Sequence, residues 1–219
     1  MSRVFTPAER RARALALLLP AALPALQPLV LKTSLTRLRQ VYGQGPQGPV
    51  RSERLVSIYY DTPDRRLRQR RVALRLRREG RRWIQTLKGE GETVGGLSSR
   101  PELEWPLKGP EPDYALVRSS SLGKLFKRKL CRELAPAFET DMRRSAVELL
   151  LPGGSWAELS IDVGEIRAGR RREPICEVEI ELTAGAPRAL FDFAFALLRE
   201  VPFEVGRLSK AERGYALMA

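Results

Sequence analysis

The stretch Cys176-Glu177-Val178-Glu179-Ile180-Glu181-Leu182, which follows Ile175, alternates apolar and acidic residues one for one. A β-strand sends successive side chains to opposite faces, so Cys176, Val178, Ile180 and Leu182 share one face and Glu177, Glu179 and Glu181 the other. A sheet exposed on one side ordinarily carries mixed Ser, Thr, Lys and Gln on its polar face. Three carboxylates spaced about 7 Å apart along one strand repel one another unless cations or basic side chains face them across a cavity.

The same grammar recurs upstream with either sign of charge. Val72 to Arg78 sends Val72, Leu74 and Leu76 one way and Ala73, Arg75 and Arg77 the other. Trp83 to Lys88 puts Ile84, Thr86 and Lys88 on one side, and Pro101 to Leu107 sets Glu102 and Glu104 against Leu103, Trp105 and Leu107. Further strands are expected from Arg54 to Tyr60, ending at the turn Asp61-Thr62-Pro63-Asp64, and over Met142 to Leu151 and Ala157 to Val163, with Glu158 and Asp162 on one face. Gly164 to Glu173 reads as a connection before the acidic strand.

Helices are expected in three places. Thr6-Pro7-Ala8-Glu9 reads as a capping box opening an N-terminal helix. Leu122 to Arg132 has the spacing of a basic amphipathic helix, and Pro187 to Arg199 that of a helix laying Leu190, Phe191, Phe193, Phe195, Leu197 and Leu198 on the outside of the sheet. Gly43 to Pro49 reads as a loop. The sum is an α+β architecture with a largely antiparallel sheet, either open or closed as a barrel: an atypical segment over 1–53, then one domain over 54–217.

Composition narrows the chemistry. Among 219 residues there is no His, which excludes Ser-His-Asp catalysis, a His general base and His-ligated zinc. Lys and Arg exceed Asp and Glu by 39 to 26, a net charge of +13 that attracts polyanions. Cys131 and Cys176 make neither a CxxC motif nor a disulfide framework, which fits a reducing cytoplasm. The apolar run Ala14 to Leu31 imitates a membrane span, but Pro20, Pro24 and Pro28 would interrupt a spanning helix.

A cavity with acids on some walls and bases on others suits phosphoryl transfer: bases hold phosphate oxygens and acids hold a bridging Mg²⁺ or Mn²⁺. The alternative is that each charged face is solvated and pairs with its neighbours.

Six ordered blocks carry a family likeness: Ile58-Tyr59-Tyr60-Asp61-Thr62-Pro63-Asp64, Ala73-Leu74-Arg75-Leu76-Arg77, Gln85-Thr86-Leu87-Lys88, Gly95-Gly96-Leu97 with Arg100-Pro101-Glu102, Pro174 to Leu182, and Ser209-Lys210-Ala211-Glu212-Arg213-Gly214-Tyr215. They resemble the CYTH family, and within it the bacterial inorganic triphosphatase branch of the triphosphate tunnel metalloenzymes. The resemblance implies an eight-stranded antiparallel tunnel. In it Arg75, Arg77, Lys88, Arg144, Lys210 and Arg213 would bind inorganic triphosphate or a similar phosphate chain. Glu102, Glu104, Asp162, Glu177 and Glu179 would hold metal, and Glu102 and Glu104 with Lys88 would serve catalysis. Parity favours Arg144 over Arg143.

The family opens with a first strand bearing Glu-x-Glu-x-Lys. Before Tyr59 this chain has only Glu9 and Glu53 as acids, and neither begins that motif. An altered or misassigned N-terminus, a tunnel that binds without cleaving, and replacement by other carboxylates all fit. The implied activity is metal-dependent triphosphate hydrolysis; the competing reading is a binding module for polyphosphate or nucleoside triphosphates. Nucleic acid is disfavoured, because the basic helix lacks an aromatic platform.

Overall fold

The computed structural model describes residues 8–18, 46–94, 97–200 and 204–219. Its strands are β1 (Ala8–Leu18), β2 (Pro46–Asp61), β3 (Ala73–Glu79), β4 (Arg82–Lys88), β5 (Glu92–Val94), β6 (Leu97–Leu107), β7 (Ala135–Leu151), β8 (Ser155–Ala168), β9 (Arg171–Ala184) and β10 (Glu204–Val205). The helices are α1 (Arg66–Gln69), α2 (Tyr114–Arg118), α3 (Arg128–Glu133), α4 (Pro187–Glu200) and α5 (Lys210–Leu217). The sheet runs β10-β1-β9-β8-β7-β2-β3-β4-β6-β5, and β1 pairs with β6 as well as β9. Eight strands, β1-β9-β8-β7-β2-β3-β4-β6, therefore close into a ring whose pairings are all antiparallel. Closure removes the unpaired edges that an open sheet would expose.

Four expectations need correction. The N-terminal helix is instead strand β1: its Ala- and Arg-rich sequence has high helix propensity, but pairing with β6 and β9 on both sides overrides that weak preference. Thr6 and Pro7 lie outside the described residues. The Pro/Gly-rich loop ends earlier than expected, since β2 begins at Pro46 and absorbs Gly48 and Pro49 through a register shift between Gln47 and Arg51. Gly164 is not a connection but mid-strand in β8. A Cβ there would lie 2.1 Å from the Asp141 carbonyl oxygen, so glycine allows the close approach to β7. The single basic helix expected over Leu122 to Arg132 is instead a 3-10 turn at Gly123–Leu125 followed by α3, with α2 ending before it at Arg118.

The barrel is apolar on its outside. Leu74, Leu76, Leu87, Leu103 and Trp105, the outward positions of β3, β4 and β6, pack under Val117 of α2, Phe126, and Leu130 and Cys131 of α3. On the opposite wall Val147, Leu149, Leu159, Val178 and Ile180 pack under Leu190, Phe193, Ala194 and Leu197 of α4. A third cluster lies on the inward face, where Leu55, Tyr59, Phe138, Met142, Ile166 and Ile175 receive Tyr215 of α5. Phe138 stacks on Tyr59 with ring centroids 4.5 Å apart and meets Tyr215 edge-on at 5.1 Å. A Cβ at Gly214 would lie 2.2 Å from the Phe138 ring, so only glycine lets α5 sit this deep.

Asp61 fastens this end of the barrel. The buried carboxylate accepts from the backbone N–H of Thr62 at 2.7 Å, of Leu67 at 2.9 Å and of Arg68 at 3.0 Å, and from the Tyr215 hydroxyl at 2.7 Å. One side chain thus ties the end of β2 to the start of α1 and to α5. Removing it strands four donors in a low-dielectric setting, where each unmet partner costs about 1–3 kcal/mol. Asp61→Ala is expected to lose about 3 kcal/mol or more in urea unfolding, and Tyr215→Phe, which removes one bond, about 1 kcal/mol. Equal losses from the two variants would refute the assignment of Asp61 as the tie point.

Candidate functional site

The inward side chains form two facing charge clusters. The first belongs to β3, β4 and β6, where antiparallel register sets Arg75 opposite Thr86 and Thr86 opposite Glu104, and Lys88 opposite Glu102. Directly opposed residues share a face, so this register builds a polar patch across three strands. The Arg75 guanidinium donates to Thr86 Oγ1 at 3.0 Å and lies 3.8 Å from Glu102 and 3.6 Å from Glu104. Thr86 donates onward to Glu104 at 3.3 Å, and the Lys88 ammonium lies 3.2 Å from Glu102.

The second cluster belongs to β7, β8, β9 and α5. Arg144 is opposite Asp162, and Asp162 opposite Glu177, while Glu179 is one inward position further along β9. Arg144 grips Asp162 through two donors at 2.7 and 2.6 Å and reaches Glu179 at 2.5 Å. This bidentate fork on a carboxylate is the geometry that arginine favours. Lys210, the first residue of α5 after the Ser209 cap, places its ammonium 2.7 Å from Asp162 and 2.9 Å from Glu179, and against Glu177. Arg213, nearly one turn further on, donates to Glu177 at 3.1 Å and to Glu173 at 2.6 Å. The capping box of Ser209 and Glu212 fixes the start of α5 and so aims both bases inward.

Burial makes these charges act strongly on one another. Asp162 is fully buried and Glu177 is 2% exposed. Burial pushes Asp162 up, but Lys210 and Arg144 outweigh it and hold the carboxyl below its usual range. At Glu177 burial, with repulsion from Glu179 and Asp162, prevails over Lys210 and raises the carboxyl. Glu179 is held well below the usual range: burial opposes ionisation, but Lys210 and Arg144 win. The Lys88 ammonium is lowered to about 8, chiefly by burial, with Glu102 opposing and Arg75, Arg77 and Arg100 repelling it. Arg77 is lowered to about 10 by burial and by repulsion from Arg75 and Arg144. Arg75, Arg77, Lys88 and Arg144 therefore converge on one space.

Of the candidate site residues, Arg75, Lys88, Glu102 and Glu104 fall in the first cluster and Arg144, Asp162, Glu177, Glu179, Lys210 and Arg213 in the second, while Arg77 follows Arg75 on the same face of β3. Arg144 faces inward and Arg143 is exposed, as strand parity requires. The candidate metal ligands divide. Asp162, Glu177 and Glu179 offer oxygens within 4.8 Å of one another, whereas Glu102 and Glu104 lie in the other cluster against Lys88 and Arg75. Sequence reasoning gave no role to Ser57 and Thr140. They are opposite one another on β2 and β7, and Ser57 is also opposite Arg77. Both are 1% exposed and, like the Nε atoms of Arg75 and Arg77, their hydroxyls have no hydrogen-bond partner among the described residues. The period of β2 places Ser57 inward, but a small hydroxyl carries no charge signal.

The chain is similar to known proteins in sequence and in fold. The chain is 38% identical over 164 residues to the inorganic triphosphatase of Haemophilus influenzae, a match covering 74% of this chain and 46% of that protein. It thus spans under half of that relative's length. An adenylyl cyclase candidate of Hippeastrum with a dominant triphosphatase activity superposes with a TM-score of 0.63 at 17% identity, covering 94% of this chain and 95% of the other. A Pyrococcus horikoshii protein gives 0.54 at 19% identity, covering 94% and 98%. At such identities the likeness is one of fold. The CYTH domain family model matches residues 28–215, most of the chain, and the protein belongs to the CYTH domain family.

Proposed function

We propose that the tunnel binds inorganic triphosphate or a similar short polyphosphate and hydrolyses its terminal phosphoanhydride with the help of a divalent cation. The observation that carries the binding half is that, of six buried side-chain polar atoms without a hydrogen-bond partner among the described residues, four face inward together: Nε of Arg75 and of Arg77 and the Ser57 and Thr140 hydroxyls. A buried donor left unmet costs free energy, and phosphate oxygens supply acceptors to several at once. Arg77 is repelled by Arg75 and Arg144, and Lys88 by Arg75 and Arg77, so a polyanion among these bases adds to the relief that Glu79, Glu102 and Glu104 already give them.

The donor set on the facing wall suits the cation. Asp162, Glu177 and Glu179 are hard oxygen donors with atoms within 4.8 Å, the preference of Mg²⁺ or Mn²⁺. When bound, such an ion would withdraw charge from the phosphoryl oxygens. In this reading Arg75, Arg77, Lys88 and Arg144 orient the chain, and the carboxylates of Glu102 and Glu104 position a water beside it. The inorganic triphosphatase of Haemophilus influenzae supports the choice of substrate. Among the described residues no helix is long and apolar enough to cross a membrane. Cys131 and Cys176 form no disulfide with each other, which supports a reducing, cytoplasmic setting.

One observation favours binding without efficient cleavage. On β1 the positions opposite Glu177, Glu179 and Glu181 are Leu18, Ala16 and Ala14, residue types with no side-chain oxygen. Phosphate release from inorganic triphosphate, with and without Mg²⁺ or Mn²⁺, separates the two readings. Turnover that needs metal, and that falls about 100-fold in both Lys88→Ala and Glu177→Gln, is the expected result. Tight triphosphate binding without turnover would make the protein a binding module instead.

The Lys88 ammonium supplies a pH signature. With its value near 8 in the free tunnel, it is charged below that pH and neutral above, so triphosphate affinity falls as pH rises through about 8. Titration calorimetry of wild type and Lys88→Met across this range cancels the ligand's own ionisation. A drop of the same size in both proteins would show that Lys88 does not contact the chain.

A further inference from the structure

Lys210 stands where a cation would stand. Its ammonium has three protons and meets one carboxylate from each of Asp162, Glu177 and Glu179, the same three groups whose oxygens lie within 4.8 Å of one another. An ammonium and a small hard cation make similar demands: a compact positive charge surrounded by oxygens. Lys210 is 10% exposed at its side chain and is carried on a helix whose start is fixed by its capping box. Arg144 and Arg213 supply further positive charge to the same carboxylates. Three acids are thus met by three bases, one of which, Arg213, is shared with Glu173. A divalent ion added to this arrangement would enter a cluster that is already neutralised, and at a position already filled.

We propose that the Lys210 ammonium is a tethered stand-in for the divalent cation: it holds the Asp162, Glu177 and Glu179 carboxylates together in the ligand-free tunnel, and a metal ion enters only by displacing it. This rests on the reading of the tunnel as a phosphate-chain site, because a bound chain supplies the anion to which the displaced ammonium transfers. Metal loading is thereby tied to substrate loading. A triphosphate drawing Lys210 away uncovers the three carboxylates at the moment when the cation is needed. Without the chain the acids remain satisfied, and the interior carries no uncompensated negative charge. Lys210 acts here as a positioning residue for the cation.

The test is Mn²⁺ binding to the protein with no phosphate present, read by the loss of the free-ion electron paramagnetic resonance signal. Wild type and Lys210→Arg, which keep the charge, are expected to bind weakly, and Lys210→Gln at least 10-fold more tightly. The gain should vanish in Lys210→Gln/Glu177→Gln, which locates the ion at the cluster. Equal affinity of wild type and Lys210→Gln, or a gain that survives loss of Glu177, would overturn the proposal. If Lys210→Gln unfolds in metal-free buffer, recovery of the folded circular dichroism signal on adding Mn²⁺ supports it, and no recovery overturns it. Because no triphosphate is used, a failure of the triphosphate reading leaves this measurement intact and separately interpretable.

Discussion

A barrel lined with ionised side chains is tolerable only if every inward charge meets its opposite. Moving a single carboxylate or guanidinium from water to such a site is strongly unfavourable, and a pair offsets that cost only with good geometry and further hydrogen bonds. Here the inward acids of β6, β8 and β9 are met by bases from β3, β4, β7 and α5. The consequence reaches the outer surface. Because the inside of the ring is given to charge, the strands must turn their apolar positions outward, and those positions then need cover. Helix α4 covers one wall, and α2 with Phe126 and α3 covers the other. In an ordinary small barrel the interior is packed with apolar side chains and the outside is wet; here only the end closed by Tyr215, Phe138 and Met142 is packed that way, and over the charged stretch the apolar faces turn outward under helices.

This arrangement explains which features were legible in the sequence. Alternation of apolar and single-sign charged residues in β3, β6 and β9 could come only from strands with one dry and one charged face, and parity sufficed to separate Arg144 from Arg143. The reading failed where tertiary pairing overrode local preference. The β1 sequence is helix-forming by composition and becomes a strand because two neighbours hydrogen-bond it. The break between α2 and α3 depends on a tight turn that hydrophobic periodicity does not encode: a Cβ on Gly123 would lie 2.0 Å from the Arg118 carbonyl oxygen, five residues back. The depth of α5 in the barrel depends on Gly214 lying against Phe138, a pairing of residues far apart in sequence.

The position of α5 links these constraints. Its apolar side closes the inward face through Tyr215, Phe138 and Tyr59, while its first turn delivers Lys210 and Arg213 to the acids of β8 and β9. Asp61 is the point at which the two roles meet, since its carboxylate holds Tyr215 and the turn after β2 together. Displacing α5 would therefore expose an apolar face and take both Lys210 and Arg213 from the buried Glu177 at once, a cost that keeps the helix seated.

The first strand shows how the balance is adjusted. A wall bearing further carboxylates opposite Glu177 and Glu179 would raise the negative charge of the interior beyond what Arg144, Lys210 and Arg213 neutralise, and would demand a resident cation. With Leu18 and Ala16 at those positions, the three acids and three bases nearly cancel without one. Residue choice on β1 and the inward reach of Lys210 are then two parts of one solution. A tunnel that carries fewer acids can stay folded with its own lysine in the cation position, and on the proposal above a phosphate chain draws that lysine away as a metal ion takes its place.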